Sequence, residues 1–308
     1  PEAVDEFTAM MATEHGFDRS KLTTLFGQAE RSDKIIKLMT RPAEKVKPWW
    51  SYRKIFISDK RIKDGAAFWH KHADALALAE QRYGVAPEVI VAIIGVETSY
   101  GRVTGGHRVI DALSTLAFHY PGDRPKRAAY FRAQLEHFLL FTRESDRDPL
   151  TVTGSYAGAM GMPQFMPENY RKLAVDFDND ESTDIWNNPI DAIGSVANYL
   201  NHHGWQRDMP VMSPARVGPN NSTERVQTDI KPQHTLAELA QSGVVPMAAS
   251  GTPDQAAALY EFEARDGIEY WIGYTNFYVI SRYNPRLKYT MAVAQLAAAI
   301  RDLHDENP

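Results

Sequence analysis

The chain of 308 residues contains no cysteine, so a disulfide, a zinc–thiolate site or a cysteine nucleophile is excluded. Long apolar runs are absent as well: the longest, Val89–Val96, has eight residues, whereas a membrane-spanning helix needs roughly 20. Basic residues are not in excess, since 34 Lys and Arg stand against 39 Asp and Glu and leave a net charge of −5. Because nucleic-acid binders usually carry a basic surface, we expect no nucleic-acid partner.

What is present is the composition of an ordinary globular protein, with 44% hydrophobic and 24% charged residues. The length suits about two domains. The chain begins with Pro1 rather than methionine, which indicates processing or trimming. We therefore expect a membrane contact only through a lipid-anchor cysteine lost upstream of Pro1.

Helical periodicity dominates most of the chain, so we predict a mainly α fold. Between 205 and 270, Pro, Ser, Gly, Thr and Asn accumulate, and apolar and polar residues alternate in stretches such as Ala258–Ala264, which predicts a small β-rich module. Gly154–Pro167 predicts a tight turn plus a short helix. Longer helices are predicted at 5–14, 18–28, 32–39, 62–83, 88–96, 111–118, 126–144, 191–202 and 289–303.

Glu97 is the most informative single residue. It follows the apolar helix Glu88–Val96, and a helix that is apolar on every side is expected in the centre of a domain. Burial disfavours the ionised carboxylate and raises its pKa, which keeps the group protonated as a general acid requires. The alternative is that Glu97 caps a neighbouring helix or pairs with Arg102.

Three stretches carry a resemblance to a known family. Glu97–Arg102 reads ETSYGR, Gly154–Pro167 reads GSYAGAMGMPQFMP, and Asn276–Asn284 reads NFYVISRYN. Together they resemble the membrane-bound lytic transglycosylase B family and its soluble forms, over about Trp49–Val293.

The resemblance implies a lysozyme-like catalytic core with an all-helical flanking domain and a small β-rich module. We assign the core to 84–204 and 271–285, with an Asp-rich loop at 176–191. The helical domain covers 1–83 and is joined by a C-terminal helix at 286–308, and the β-rich module covers 205–270.

The resemblance also implies a reaction, the cleavage of the β-1,4 bond between N-acetylmuramic acid and N-acetylglucosamine with formation of a 1,6-anhydro end. Glu97 would be the single acid and base, and catalysis would need no cofactor. No second Asp or Glu lies within the three motifs. The expected partners are peptidoglycan glycan strands and other cell-wall enzymes, and the expected location is the bacterial periplasm.

Other functions stay open on the sequence. A muramidase would hydrolyse the same bond, a wall-binding protein would have a silent site, and a calcium-responsive protein would bind partners under calcium control. Intact Glu97, Ser155 and Gln164 argue against the silent site.

The resemblance assigns glycan contacts to polar and aromatic residues of the motifs and to two further tyrosines. For each tyrosine the alternative is core packing with a satisfied hydroxyl. Two basic residues at a helix start are candidates for meeting the acidic stem peptide, or else form a solvated helix start. The glycan set is Tyr52, Ser155, Met162, Gln164, Phe165, Tyr199, Tyr278 and Tyr283, and the basic pair is Lys126 and Arg127.

The Asp-rich loop has side-chain oxygens at alternating positions, a pattern that suits a structural Ca²⁺ site. Glu181 replaces the usual glycine and Asn187 the usual bidentate glutamate. The resemblance implies a longer loop that a later aspartate closes, and the alternative is a solvated acidic turn. The predicted ligands are Asp176, Asp178, Asp180, Ser182 and Asp191.

Overall fold

The computed structural model describes residues 2–40, 47–218, 222–248 and 251–306. Most of them are helical, which confirms the mainly α fold class. The helices are α1 (Glu2–His15), α2 (Arg19–Gln28), α3 (Asp33–Thr40), α4 (Trp49–Phe56), α5 (Asp59–Lys71), α6 (Ala73–Tyr83), α7 (Pro87–Thr98), α8 (Val109–Phe118), α9 (Pro125–Glu144), α10 (Pro167–Leu173), α11 (Pro189–His202), α12 (Leu236–Gln241), α13 (Thr275–Ser281) and α14 (Leu287–Glu306).

Strands occupy a smaller share of the chain. They are β1 (His107–Arg108), β2 (Thr153–Gly154), β3 (Met212–Val217), β4 (His234–Thr235), β5 (Val244–Pro246), β6 (Ala256–Ala264) and β7 (Gly267–Tyr274). In the described ranges, no helix combines the length and the apolar character that crossing a membrane requires.

The single helix predicted over 62–83 is wrong, because two helices, α5 and α6, meet at His72. The His72 backbone leaves the helical region (φ −121°, ψ 28°), while its N–H still bonds the carbonyls of Phe68 and Trp69. The His72 ring packs 4.6 Å from the Phe68 ring. The break thus interrupts a segment whose helix propensity is continuous.

The short helix predicted within Gly154–Pro167 is also wrong. This stretch forms consecutive turns joined by the isolated bridges Gly154↔Met160 and Met160↔Phe165, and the helix α10 begins only at Pro167. A Cβ at Gly154 would lie 2.3 Å from the Ala159 carbonyl oxygen, so only glycine permits this close approach.

The apolar helix α7 lies at the centre of the main hydrophobic cluster, as its sequence predicts. Residues 89–94 are at most 2% exposed, and α5, α6, α11 and α14 pack around them. Each fully buried Val or Ile contributes roughly 1.5–3 kcal/mol relative to an exposed one. A helix held on every side is a rigid support for the residue at its end, Glu97.

The strands β3–β7 form one antiparallel sheet in the order β4-β6-β7-β3-β5. One part of it packs through Tyr260 and Phe262 against Trp49, Phe277 and Met291, which lie on α4, α13 and α14. The predicted module boundary at 270 falls inside β7. The division into three domains stays a prediction, and residues 307–308 of its last helix lie outside the described residues.

Candidate active site

Glu97 lies in the last turn of α7, where the buried helix reaches the edge of the core. Its carboxyl is largely surrounded by protein, and burial raises its pKa from 4.5 to about 7. The Tyr289 hydroxyl of α14 donates a 2.5 Å hydrogen bond to Glu97 Oε1 and partly opposes that rise. Near neutral pH, both the acid and its conjugate base are therefore populated.

Two further tyrosines lie within electrostatic reach of Glu97. Burial raises the pKa of Tyr283 far above its usual value, and the Glu97 carboxylate raises it further. Burial also raises the pKa of Tyr52. The Arg286 cation lowers that pKa, and the Glu97 carboxylate raises it. The structure thus brings Tyr52 and Tyr283, from opposite ends of the chain, to the same carboxyl group.

The turn after Glu97 has an unusual backbone that its own side chains stabilise. Ser99 and Tyr100 both adopt positive φ (51° and 62°), and the Tyr100 hydroxyl donates to the Arg61 carbonyl at 2.7 Å. The Tyr100 ring covers Gly95, where a Cβ would lie 2.7 Å from ring atoms. The sequence Gly95–Gly101 therefore fixes how α7 ends.

The ion-pair alternative for Glu97 is wrong. Arg102 Nη2 lies 2.5 Å from Asp64 Oδ2, and Lys60 Nζ contacts the same carboxylate at 2.8 Å. Glu97 has the Tyr289 hydroxyl as its partner instead.

The first and second motifs are joined directly. Thr98 Oγ1 donates to the Met162 carbonyl at 3.0 Å and accepts from the Gly101 N–H at 3.0 Å. The Met162 N–H in turn donates to the Ile185 carbonyl at 2.8 Å. The backbone of Met162 is therefore held by Thr98, the residue that follows the acid in the chain.

Gln164 and Ser155 are both held by the turns of the second motif. Gln164 has φ 52°, and its Nε2 donates to the carbonyls of Thr104 (3.0 Å) and Gly161 (2.9 Å). Both amide hydrogens are thus used, which leaves Oε1 as the acceptor for a ligand. Ser155 Oγ accepts the N–H groups of Ala157 and Ala159, so its own proton is the group it can offer.

Phe165, Tyr199 and Tyr283 form one aromatic cluster. The ring centroids of Tyr199 and Tyr283 are 4.6 Å apart, and Phe165 lies 5.6 Å from Tyr199. Tyr199 donates to the Arg282 carbonyl at 2.6 Å and Tyr283 to the Pro163 carbonyl at 3.0 Å. These contacts satisfy both hydroxyls, as the core-packing alternative expects.

The other three predicted residues lie on α9 and α13. Lys126 and Arg127 are exposed in the first turn of α9. Tyr278 is half-buried on α13 and lines a small cavity with the β-rich module.

The Asp-rich loop brings three of its predicted ligands together. Carboxylate oxygens of Asp176, Asp178 and Asp191 lie within 4.8 Å of one another. Asp180 does not join this cluster, and its Oδ1 accepts the Ser182 N–H instead.

Asp191 is the buried member of this cluster. It accepts the N–H groups of Phe177 (2.8 Å) and Asp184 (2.7 Å). Burial raises its pKa, the two N–H donors lower it, and Asp178 and Asp176 raise it again. This set of oxygens fits a hard cation such as Ca²⁺.

Sequence reasoning missed Tyr289 and Tyr130. Tyr289 lies beyond the third motif, 192 positions from Glu97, and its apolar neighbours predict only a helix. Tyr130 is exposed on α9. Burial raises the pKa of Tyr199 and Arg282 lowers it, and Tyr130 is close enough to add a smaller rise. For Tyr130, the available signal in the sequence was an aromatic residue one helical turn after Lys126 and Arg127.

Comparison with known proteins gives consistent matches. The transglycosylase SLT domain family matches residues 1–298. Membrane-bound lytic murein transglycosylase B of Escherichia coli K12 is 43% identical over 304 residues, covering 96% of this chain and 81% of that protein.

Solved structures extend the match to the fold. The soluble lytic transglycosylase SltB1 of Pseudomonas aeruginosa has a TM-score of 0.93 at 48% identity, covering 99% of this chain and 100% of the other. Escherichia coli Slt35 in complex with calcium has a TM-score of 0.89 at 41% identity, covering 98% and 94%. These matches confirm the lysozyme-like fold class and the resemblance seen in the three motifs. The chain therefore belongs to the transglycosylase SLT domain family of lytic transglycosylases.

Proposed function

We propose that this lytic transglycosylase cleaves the β-1,4 bond between N-acetylmuramic acid and N-acetylglucosamine in peptidoglycan, with Glu97 as its single acid and base. The observation that carries this proposal is the Glu97 carboxyl itself. Burial raises its pKa to about 7, and the Tyr289 hydroxyl holds one of its oxygens. A carboxyl with this pKa can both donate and accept a proton at neutral pH.

In the first step, protonated Glu97 donates its proton to the glycosidic oxygen as the bond to the anomeric carbon breaks. Most glycosidases pair this acid with a second carboxylate, about 5–9.5 Å away. Burial and Tyr289 are the influences on the Glu97 pKa, and no other carboxylate of the described residues contributes to it. As the family resemblance implies, we assign the stabilisation of the positive charge at the anomeric carbon to the substrate's own 2-acetamido oxygen.

In the second step, the Glu97 carboxylate accepts the proton of the C6 hydroxyl of the same sugar. The C6 oxygen attacks the anomeric carbon, which closes the 1,6-anhydro ring and returns Glu97 to its protonated state. No water is consumed, and the products together have the composition of the substrate. The Tyr289 hydroxyl stabilises the carboxylate between the two steps, because it donates to Oε1.

The glycan groove is proposed to run along the second motif. Gln164 Oε1 is available as an acceptor for a sugar hydroxyl or amide, and Ser155 Oγ as a donor. Tyr52 and Met162 flank Glu97 on two sides. The buried rings of Phe165 and Tyr199 and the half-buried ring of Tyr283 form the floor under this groove, and Tyr278 extends it toward the β-rich module.

Lys126 and Arg127 are proposed to meet the acidic stem peptide at the far rim. Both side chains are exposed. Burial and Glu168 raise the pKa of Tyr130, and Arg127 lies near enough to lower it. Tyr130 in turn acts on Tyr199, which connects this rim to the aromatic floor.

A structural Ca²⁺ ion is proposed in the Asp-rich loop. Asp176, Asp178 and Asp191 would hold it, whereas Asp180 lies outside their cluster. Ser182 stays a further candidate from the sequence pattern. The ion would neutralise the clustered carboxylates and hold the start of α11 against the loop. Slt35, which is similar to this chain, has been solved in complex with calcium. The chemistry assigned to Glu97 does not involve the ion.

The bacterial periplasm is the proposed compartment, because murein lies there, and other cell-wall enzymes are the proposed partners. The testing experiment is digestion of purified sacculi followed by mass spectrometry. Muropeptides that end in 1,6-anhydro sugar, one water lighter than hydrolysed ones, support the proposal. Hydrolysed ends alone would identify a muramidase, and intact sacculi would identify a wall-binding protein.

A further inference from the structure

A cavity of about 330 Å³ lies between the β-rich module and the third motif. One wall is the loop Asp229–Ile230–Lys231, which precedes β4. The other wall consists of Tyr278, Arg282 and Pro285, at and after α13. Two parts of the chain that are far apart in sequence thus form one concave site.

The loop that forms the first wall is held in place from behind. The buried Tyr260 hydroxyl donates to the Ile230 carbonyl at 2.5 Å. Gln227 Nε2 donates to the carbonyls of Asp229 and Lys231, both at 2.8 Å, and Asp229 Oδ1 accepts the Lys231 N–H at 3.1 Å. The loop therefore presents a defined surface, and one Asp229 oxygen is already used within it.

The charge of the cavity favours an anion. Lys231 and Arg282 are both exposed, and neither lies within 4.0 Å of a carboxylate among the described residues. The Arg282 guanidinium is 5.9 Å from the centre of the Tyr278 ring. Asp229 is the acidic side chain in the lining, so the two cations leave a net positive charge.

The cavity adjoins the candidate glycan groove. The Arg282 carbonyl accepts the hydroxyl of Tyr199, one of the rings of the groove floor. Arg286 follows the cavity residue Pro285 in the chain and lowers the pKa of Tyr52, which also lies within reach of Glu97. The third motif therefore contributes residues both to the cavity and to the aromatic cluster of the candidate groove.

We propose that this cavity is a subsite for a carboxylate of the stem peptide attached to the glycan, with Lys231 and Arg282 as its cationic contacts. The inference rests on the proposed function, since it adds a second contact for the stem peptides of the same substrate, besides the one proposed for Lys126 and Arg127. Tyr278 offers its face to the backbone or sugar that leads into the site, and Asp229 holds the loop shape. The β-rich module thereby takes part in substrate selection.

The test compares two glycan substrates of equal length, one carrying stem peptides and one stripped of them by an amidase. The measured quantity is the ratio of kcat/KM on the peptide-bearing strand to that on the stripped strand. Lys231→Glu is expected to lower this ratio about two- to fivefold through KM, the size of an exposed ion pair. Lys231→Arg is expected to restore it, and higher salt is expected to reduce the difference.

A matched control is Lys37→Glu, which reverses an exposed charge on α3 and is expected to leave the ratio unchanged. An unchanged ratio in Lys231→Glu, or an equal loss on both substrates, would overturn the subsite. Failure of the wild-type enzyme to produce anhydro ends from either substrate would instead overturn the proposed function. The two failures are therefore distinguishable.

Discussion

Glu97 and Asp191 are both carboxyl groups in largely buried positions, and they differ in what surrounds them. Glu97 accepts one hydroxyl hydrogen bond, from Tyr289, and burial raises its pKa to about 7. Asp191 accepts two backbone N–H groups and faces two further aspartates. Backbone donors favour the ionised form of a carboxyl group, whereas apolar surroundings with one hydroxyl favour the protonated form.

The comparison shows that burial alone does not determine the role of a carboxyl group. Desolvation is the first influence on the pKa of both residues. The number of N–H donors and the number of neighbouring carboxylates separate a group suited to proton transfer from one suited to a cation. The predictions below alter these surroundings one at a time, in order of decreasing expected effect.

The largest effect is expected for Glu97→Gln, which removes the exchangeable proton and keeps the shape. Anhydro-product release should fall by about 10²–10⁴-fold, the range that general acid–base groups contribute. The matched control is Glu88→Gln, the same change at the other end of α7, where the carboxylate pairs with Arg301. Equal loss in both variants, measured on sacculi with circular dichroism as a folding check, would contradict the catalytic assignment.

The same variant should be more stable than the wild-type protein at alkaline pH. The folded pKa of Glu97 is raised from 4.5 to about 7, so the folded state binds more protons than the unfolded state between these values. Wild-type stability contributed by this group therefore falls as pH rises from 4.5 through 7. At pH 8, the free energy of unfolding of Glu97→Gln should exceed that of the wild-type protein by up to about 3 kcal/mol, and by less where water at the site screens the charge.

This stability gain should be absent near pH 4, where Glu97 is protonated in both states. Urea unfolding at pH 4 and pH 8 measures the two differences. A gain of equal size at both pH values would show that the glutamine packs better, and that desolvation of the carboxylate is not the cause.

Calcium should act on the other group of carboxylates. At a free concentration 100 times its Kd, a bound ion would stabilise the folded state by about 2.7 kcal/mol. Asp178→Asn should reduce this gain, measured as the shift of Tm between calcium and chelator. Asp180→Asn is the control, because Asp180 lies outside the cluster. Loss of the Tm shift in Asp180→Asn would show that Asp180 is a calcium ligand, as the sequence pattern predicts.

The smallest effect is expected for Tyr289→Phe. The hydroxyl lowers the pKa of Glu97, so its removal should move the alkaline limb of the kcat/KM profile to higher pH, by about one pH unit. Tyr283→Phe is the comparison variant, since its hydroxyl donates to the Pro163 carbonyl rather than to Glu97. A limb that moves equally in both variants would assign the shift to general packing.

Much of the fold and part of the site follow from local sequence. The apolar run before Glu97 predicts a buried helix with a carboxyl at its end, and both are present in the structure. Alternating oxygens in the Asp-rich loop correctly bring Asp176 and Asp178 together, and the family resemblance adds Asp191. These features succeed because each depends on periodicity or on spacing within a short segment.

The parts that the sequence did not predict depend on contacts between distant segments. The break at His72 lies in a stretch that favours a helix throughout, and the turns of Gly154–Pro167 depend on close glycine contacts. Tyr289 becomes a partner of Glu97 only because α14 packs along α7. No residue near Tyr289 in the sequence signals that neighbour.

The bond from Tyr289 to Glu97 also sets an order of events during synthesis. The ribosome adds Glu97 to the chain 192 residues before it reaches the tyrosine. A nascent chain that ends at the third motif therefore contains all three motifs but lacks the hydroxyl that orients the acid. Glu97 therefore gains this hydrogen-bond partner only after α14 has been translated and docked.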